Sequence, residues 1–354
     1  MKILVISLAG IGDTLLATPF IHELRANFPQ ATIDVLTKEA GGKDLLENNP
    51  YVSNVIQKDL LKCSRLETVR FLWSLRRNRY DLSINTHPQS RMLYRVSALL
   101  AGAPVRLSHE YECFTSLDHW LITGSLPQDY TRHSIENNFD FLPLIGAEKK
   151  LPSHELEIYL KPEEETFAAD FITRNKLTGQ NVLGIHVGSG GTKNLPLKRW
   201  PLKNYAGLVR KLNKERPDIH VLLFGGPEEA KDHPVVLAQA NQGLTIEAKT
   251  RSLRQTAALM KRCRAFLSVD TALMHVAAAM KVSNQIVIEA PTLNVTNWPY
   301  GHEFTLVKNP IVNGRNLEYY RYDGGDIKGT REELIQCMES VKITDVFDAI
   351  TKLI

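Results

Sequence analysis

Three stretches of the chain place glycines and charged side chains directly after a strand-like run. The first is LAGIGDTLLATP (8–19), in which Gly10 and Gly12 precede Asp13. A glycine-rich turn between a strand and a helix commonly binds phosphate, but the carboxylate of Asp13 would repel a phosphate group. Two interpretations are open. Either Asp13 caps a helix that begins at Thr14, or Asp13 acts as a base and the loop binds a group other than phosphate.

The second stretch is HVGSGGTKNLPLKRWP (186–201), which also follows a strand-like run. Its backbone amides from Gly188 to Thr192 can form an anion nest, to which Lys198 would add positive charge. The alternative is a surface loop with solvated lysines. The adjacent Trp200 and Pro201 favour the anion site, because a packed turn would hold Lys198 in place.

The third stretch is SVDTALMHVAAAM (268–280), where a strand is predicted to end at Asp270 and a helix to begin at Thr271. Free amides at such a helix start attract a phosphate group. Asp270 would cap the helix, whereas His275 either faces the same end or is an ordinary core histidine. The second half of the chain is therefore predicted to bind a nucleotide diphosphate, and the first half to supply a base.

Strand-like and helical segments alternate through both halves of the chain. The strand-like runs are KILVISL, ATIDVLTK, VSNVIQ and DLSINT in the first half, and NVLGIHVG, DIHVLLFGG, LTIEAK, AFLSVD and NQIVIEAP in the second. This alternation predicts an α/β fold with two doubly wound parallel sheets, whose strands point their carboxyl ends into a cleft. We expect a first domain at 1–160, a second at 161–328 and C-terminal helices at 329–354.

The composition limits the class of protein. The 354 residues suffice for about two domains, and 43% hydrophobic with 23% charged residues is typical of a globular protein. The formal charge of +4 is too small an excess to indicate nucleic-acid binding. Four dispersed cysteines and the lack of an apolar run of about 18 residues predict a cytoplasmic protein without a structural zinc or a membrane span.

Four segments together resemble one family along nearly the whole chain. In order they are GIGDTLLATP, GSGGTKNLPLKRWP, SLRQTAALMKRCRAFLSVDTALMHVAAAM and EAPT, and the family is the ADP-heptose:lipopolysaccharide heptosyltransferases, glycosyltransferase family 9. The resemblance implies the GT-B fold, two Rossmann-like domains facing across a cleft, often with a C-terminal helix that returns to the first domain. It also implies an inverting transfer of a heptose from ADP-heptose to a lipopolysaccharide core or related glycan, with no cofactor and no essential metal.

The resemblance also implies roles for individual residues. Asp13 matches the proposed catalytic base, and Lys198 matches the lysine that contacts the donor diphosphate. The other positions for the diphosphate and sugar are Gly188, Ser189, Thr192, Asp270, Thr271, Ala272, Leu273 and His275. Those for the nucleoside are Glu228 or Glu229 at the ribose and Arg251 and Ser252 at the adenine. Ala272 and Ala290 stand where the family commonly has glycine. This departure bears on the identity of the donor more than on the type of reaction.

Acceptor binding is expected in the first domain. The loop with Gly10 and Gly12 would bring the base to the acceptor, and Arg91 and His133 are further candidates for acceptor contacts. A basic run, KCSRLETVRFLWSLRRNRY (62–80), suits an anionic glycolipid at the inner membrane face, although an ordinary solvated helix face is the alternative. The expected partners are thus a nucleotide sugar, a glycolipid or oligosaccharide, and the membrane surface.

Other functions remain open alongside this transfer. A nucleotide-sugar 2-epimerase also pairs two Rossmann-like domains, and a transferase of the same fold could use a different nucleotide sugar. A protein that binds a nucleotide sugar without catalysis would be compatible with Ala272. A dehydrogenase is disfavoured, because Leu15 stands where the dinucleotide fingerprint requires its third glycine.

Overall fold

The chain forms two compact α/β units. The computed structural model describes residues 1–88, 90–112, 114–191, 195–312 and 330–354. The first unit is Met1–Tyr159, and the second contains the described residues from Leu160 onward. Each unit has one six-stranded sheet in which all paired strands run parallel. The prediction of two doubly wound parallel sheets is confirmed.

The first unit has the strand order of a Rossmann sheet. Its strands are β1 (Lys2–Ser7), β2 (Thr32–Thr37), β3 (Asn54–Gln57), β4 (Leu82–Asn85), β5 (Val105–Glu110) and β6 (Gly124–Pro127). Its helices are α1 (Ile11–Leu16), α2 (Thr18–Asn27), α3 (Ala40–Leu46), α4 (Arg65–Ser74), α5 (Met92–Ala101), α6 (Ser116–Leu121) and α7 (Ser134–Phe139), with 3-10 helices at Leu75–Asn78 and Pro143–Ile145. The order β3-β2-β1-β4-β5-β6 reverses between β1 and β4, so their carboxyl ends form the crevice where such sheets bind ligands.

The second unit repeats this plan. Its strands are β7 (Asn181–His186), β8 (Ile219–Phe224), β9 (Thr245–Glu247), β10 (Ala265–Ser268), β11 (Asn284–Ile288) and β12 (Phe304–Val307). Its helices are α8 (Pro162–Arg174), α9 (Leu202–Glu215), α10 (His233–Leu237), α11 (Leu253–Met260), α12 (Ala272–Ala279), α13 (Arg331–Glu339) and α14 (Ile343–Thr351), with a 3-10 helix at Leu195–Lys198. The order β12-β11-β10-β7-β8-β9 places the reversal between β7 and β10.

The C-terminal helices α13 and α14 complete the second unit. Val341, Val346 and Ile350 are fully buried in its hydrophobic core, and the indole nitrogen of Trp200 donates a hydrogen bond of 2.9 Å to the Val341 carbonyl. The apolar side of α14 is thus packed within the second unit, and a return of this segment to the first domain stays a prediction.

Burial explains why β1 and β7 lie at the centre of their sheets. Both strands are apolar along almost their whole length, KILVIS and NVLGIH, and five of the six residues in each are buried. Parallel strands covered on both faces have this near-continuous apolar character. None of the described helices is both long and apolar enough to cross a bilayer.

A buried carboxylate fastens the last segment of the first unit to α2. Glu23 is fully buried, and its carboxylate accepts hydrogen bonds from the Lys150 and Leu151 amides and from His154 Nε2, at 3.0, 2.9 and 2.7 Å. Burial alone would raise the pKa of Glu23, but these hydrogen bonds lower it below its usual value.

We expect Glu23→Gln to lower the free energy of unfolding by about 3 kcal/mol at pH 7, because the neutral amide cannot accept all the hydrogen bonds that the buried carboxylate takes from the Lys150 and Leu151 amides and from His154. A lowered folded-state pKa stabilises the fold above the unfolded-state pKa, and this contribution is lost as pH falls through the folded-state value. The difference in the free energy of unfolding between variant and wild type should therefore become smaller at acidic pH. Urea unfolding at several pH values measures it, with the exposed Glu148→Gln as control; a gap independent of pH would contradict this reading.

Candidate active site

Asp13 lies at the carboxyl end of β1, inside the first turn of α1. Helix α1 begins at Ile11 with Gly10 at its N-cap, and Asp13 Oδ2 accepts a hydrogen bond of 2.7 Å from the Gly10 amide. The prediction that Asp13 caps a helix starting at Thr14 is therefore wrong. The helix starts three residues earlier because the Asp13 side chain satisfies the Gly10 amide, which fixes the orientation of the carboxylate at the crevice.

The two glycines have different roles in this loop. A Cβ atom built on Gly10 would lie 3.0 Å from Asp13 Oδ2, tighter than most side chains accept, so glycine permits the close approach of the carboxylate. Gly12 lies within the first turn of α1. The Thr14 hydroxyl adds a 3.0 Å hydrogen bond to the Gly10 carbonyl, so the turn is fixed from both sides.

Arg91 lies at the start of α5, in the loop that follows β4. Arg91 is the N-cap residue of α5, which follows β4, and Tyr94 is buried one turn later. Burial raises the pKa of the Tyr94 hydroxyl to about 12, while the charge of Arg91 lowers it and that of Asp13 raises it. Both charges thus act on the same buried hydroxyl.

His133 has a structural role in the first unit. It is buried at the N-cap of α7, and its Nδ1 accepts a hydrogen bond of 3.2 Å from the Ile135 amide. Burial and the neighbouring His109 and His133 lower the pKa of His87, and burial lowers that of His109 to about 4. A part for His133 in acceptor binding stays a prediction.

In the second unit, Lys198 and Asp270 form a buried ion pair. Lys198 Nζ lies 3.0 Å from Asp270 Oδ2, which also accepts hydrogen bonds from the Thr292 hydroxyl at 2.5 Å and the Asn297 amide at 3.3 Å. Burial would raise the pKa of Asp270, but Lys198 and the hydrogen bonds lower it overall. The pair keeps both charges in the crevice between β7 and β10.

Thr271, not Asp270, caps α12. The Thr271 hydroxyl accepts a hydrogen bond of 3.4 Å from the Met274 amide, and the helix begins at Ala272. Asp270 is therefore free to hold Lys198, which corrects the predicted cap. His186 Nδ1 lies 3.2 Å from the Thr271 hydroxyl, and burial followed by the charge of Arg199 lowers its pKa to about 3.

The other residues predicted on α12 differ in exposure. Ala272 is partly exposed at the first helical position. Leu273 and His275 are buried, and the charge of His275 acts on Asp270. Its burial is also that of a core histidine, so a part for His275 in the charged site stays a prediction.

The loop after β7 packs against a buried carboxylate. Gly188 approaches Glu229 so closely that a Cβ atom there would lie 2.1 Å from Glu229 Oε1. The Ser189 hydroxyl donates to the Leu195 carbonyl at 2.7 Å and accepts from Arg199 Nε at 3.1 Å. Thr192 lies outside the described residues.

We expect Gly188→Ala to weaken nucleotide binding about tenfold or more, because the new methyl must displace the Glu229 carboxylate and the loop with it. Overpacking of this kind costs about 1–3 kcal/mol. Calorimetric titration with ADP measures the loss. Gly226→Ala is the control, since its Cβ would lie 3.9 Å from Glu229 Oε2 in ordinary contact. Equal affinities for the two variants would contradict the prediction.

The two acidic residues predicted to bind the ribose differ in their surroundings. Glu229 is buried, accepts a 2.9 Å hydrogen bond from the Gly226 amide and lies 3.5 Å from Arg199. Glu228 is exposed, and its carboxylate lies close to Gly191 in the loop after β7. Glu228 is therefore the better placed of the two to reach a ligand.

The adenine candidates lie at the start of α11. The Ser252 hydroxyl caps this helix by accepting a hydrogen bond of 3.1 Å from the Gln255 amide. Arg251 is exposed, and its amide donates to Gln255 Oε1 at 2.9 Å. The helix follows β9 along the chain and packs against α8.

Several residues that build this site escaped the sequence analysis. Arg199 joins Ser189 to Asp232 and Glu229, and Thr292 and Asn297 complete the surroundings of Asp270. Thr292 belongs to the EAPT segment, so its position after a strand was an available signal. Arg199 stands beside Lys198, but nothing in the spacing distinguishes it from a solvated arginine.

Comparisons with known proteins agree with this architecture. The sequence model of the family described as Glycosyltransferase family 9 (heptosyltransferase) matches residues 68–321. Lipopolysaccharide heptosyltransferase 2 of Salmonella typhimurium is 28% identical over 362 residues, covering 95% of this chain and 94% of that protein. The glycosyl transferase family 9 structure from Veillonella parvula matches with a TM-score of 0.77 at 24% identity, over 99% of this chain and 96% of that one. E. coli ADP-heptose lps heptosyltransferase II matches with a TM-score of 0.74 at 22% identity, over 100% and 98%.

Proposed function

The chain belongs to glycosyltransferase family 9, and we propose that it is an inverting enzyme that transfers a heptose from ADP-heptose to the core of lipopolysaccharide. The family match makes the chain a glycosyltransferase. The sugar and the acceptor are supported by the names of similar proteins, lipopolysaccharide heptosyltransferases 2 and 3. The observation that carries the mechanism is the buried Lys198, paired with Asp270 directly before the N-cap of α12.

The second unit would bind the donor. A nucleotide diphosphate gains negative charge as its bond to the sugar breaks, so it needs fixed positive charge in the site. Lys198 and the amides of the first turn of α12 supply that charge. Glu228 would bind the ribose, and Arg251 with Ser252 the adenine.

The first unit would supply the base. In a single displacement, an acceptor hydroxyl attacks the anomeric carbon while the nucleotide diphosphate leaves from the opposite face, and a carboxylate takes the hydroxyl proton. We assign this role to Asp13, whose carboxylate the Gly10 amide holds in one orientation. Arg91, whose charge acts with that of Asp13 on the Tyr94 hydroxyl, would contact the anionic acceptor.

We propose that the reaction takes place in the cytoplasm at the inner membrane face. The partners would be the nucleotide sugar and a glycolipid or oligosaccharide acceptor, and no nucleic acid. The excess of basic residues in the segment from Lys62 to Arg79 supports a location at an anionic membrane surface.

We expect the transfer to proceed without a metal ion, since Lys198 and the helix start can neutralise the leaving group. The rate should be unchanged when EDTA is added to the assay. A rate lost with EDTA and restored by added Mg²⁺ would contradict this expectation.

The donor nucleotide is tested by thermal unfolding with ADP, UDP, GDP and CDP. A ligand present at about 100 times its Kd stabilises the fold by about 2.7 kcal/mol, so the matching nucleotide should give the largest rise in Tm. We expect ADP to do so. A larger effect of another nucleotide would indicate a different nucleotide sugar, to which the Ala272 methyl would be adapted.

A further inference from the structure

Helix α4 of the first unit is apolar on two sides. Thr68 and Leu72 are buried, and Leu72 packs in the hydrophobic core of the unit. On the outer side, Leu66, Val69 and Trp73 are 59%, 45% and 56% exposed. Their spacing of three and four residues aligns them in one stripe along the helix. The outer side of a surface helix is normally polar, so this stripe is unusual for a side that faces only water.

Positive charge surrounds the stripe. Six basic residues and one acidic residue lie between Lys62 and Arg79, an excess larger than the +4 of the whole chain. The acidic residue, Glu67, accepts a hydrogen bond of 2.9 Å from the Ser64 amide at the N-cap of α4. The Arg76 guanidinium lies 4.3 Å from the centre of the Trp73 ring.

The arginines beside the stripe are available for a partner. Arg65, Arg70 and Arg77 are exposed, and none of the salt bridges found among the described residues includes them. Arginines that flank exposed leucine and tryptophan side chains are typical of helices that lie in the interface of an anionic bilayer.

A second apolar pair lies on the same helix layer. Leu117 and Trp120 of α6 are 50% and 67% exposed and three residues apart, and both α4 and α6 pack against α5. We use the name α4/α6 surface for Leu66, Val69, Trp73, Leu117 and Trp120. Two exposed tryptophans on one layer fit a lipid interface, because the indole ring prefers the headgroup level of a bilayer.

We propose that the α4/α6 surface docks the protein on an anionic phospholipid bilayer. Its apolar side chains enter the headgroup region, and the neighbouring arginines pair with lipid phosphates. The inference deepens the proposed function, on which it rests for its biological meaning: an acceptor glycolipid lies in a bilayer, and docking would keep the enzyme at that surface. The occupant proposed is the phospholipid itself, not the acceptor.

The test is sedimentation of the full chain with vesicles that contain no acceptor. Wild type should bind vesicles of phosphatidylglycerol and phosphatidylethanolamine, bind neutral phosphatidylcholine vesicles at least tenfold more weakly, and dissociate as salt is raised. The variant Leu66→Ser/Trp73→Ser should bind the anionic vesicles at least tenfold more weakly than wild type. Val235→Ser, which replaces an exposed apolar residue of α10, is the matched control and should bind as wild type does.

The charge is tested separately. Arg70→Glu should weaken binding to the anionic vesicles severalfold, whereas Lys214→Glu, an exposed site on α9, should not. The circular dichroism and Tm of each variant establish that it is folded, so a loss of binding reports on the surface.

Three outcomes would overturn the proposal: no wild-type binding to acceptor-free anionic vesicles, binding only when the acceptor glycolipid is added, or undiminished binding by Leu66→Ser/Trp73→Ser. Loss of self-association in that variant with vesicle binding unchanged would assign the surface to a second copy of the chain instead. Transfer to a soluble oligosaccharide acceptor is measured in parallel and should be unchanged in the double variant. Absence of that transfer in wild type would count against the proposed function, while the vesicle result would still decide the docking surface.

Discussion

Asp13→Asn should reduce the rate of sugar transfer about a thousandfold, the usual contribution of a positioned general base. Asparagine keeps an oxygen that can accept the hydrogen bond from the Gly10 amide, so the start of α1 should be preserved. What it loses is the ability to take the proton of the acceptor hydroxyl. Steady-state kinetics should show the loss in kcat, while calorimetry shows ADP binding as in wild type.

The matched control for Asp13→Asn is Glu39→Gln. Glu39 is the N-cap residue of α3, which follows β2, and it pairs with Lys38 at 2.9 Å. Its change removes a negative charge from the loops at the same edge of the sheet and keeps the hydrogen bond between Asp13 and the Gly10 amide. A rate for Asp13→Asn within threefold of this control would reduce Asp13 to a residue that only completes the helix start.

Lys198→Ala is expected to reduce the rate about a hundredfold or more. A preorganised contact with the departing diphosphate contributes about 3 kcal/mol to lowering the barrier, which corresponds to this factor. The same change leaves the buried Asp270 carboxylate without its cation, so the free energy of unfolding should also fall by about 3 kcal/mol. Both effects are measured on one preparation, by kinetics and by urea unfolding.

The two effects of Lys198→Ala can be separated with a second variant. Lys198→Ala/Asp270→Asn removes the orphaned charge, so it should recover much of the stability and none of the rate. Lys203→Ala, which removes an exposed lysine of α9 paired with Glu339, is the control and should change neither. Recovery of the rate along with the stability would mean that Lys198 acts only through the fold.

The sequence predicts the fold through its alternating elements, and it does so best where burial is most complete. The apolar runs of β1 and β7 indicate central parallel strands, and both are central. The sequence analysis assigned no strands at β5, β6 and β12. VRLSHE in β5 has only two apolar residues, Val105 and Leu107, so it lacks the apolar run of a buried parallel strand, and β6 and β12 are four-residue edge strands, too short for a pattern to distinguish them from loops.

Helix starts were less predictable than strands. Asp13 and Asp270 both look like N-cap residues, but the caps are Gly10 and Thr271. A short polar side chain near a helix start can cap it, reach back from the third position or bind a distant partner, and the sequence does not distinguish these arrangements. For Asp270 the distant partner is Lys198, which the carboxylate binds instead of capping α12.

In the candidate site, too, the sequence does not indicate which partner a charged side chain binds. The glycine loop and Lys198 could be recognised from their order after a strand, but the pairing of Lys198 with Asp270 joins residues 72 positions apart. Only the sheet order, which makes β7 and β10 neighbours, brings them together. Glu228 and Glu229 are adjacent and chemically identical, so only burial separates the exposed carboxylate from the one that packs against Gly188.

We propose above that the protein transfers a heptose from ADP-heptose with inversion of configuration. The most direct test incubates it with ADP-heptose, with and without a lipopolysaccharide core acceptor that lacks this heptose, and follows ADP release together with the anomeric configuration of the product by NMR. We expect ADP release only when the acceptor is present, in equal amount to a product of inverted configuration. Release of nucleotide or of an epimerised sugar without acceptor, or donor binding without turnover on any acceptor, would contradict it.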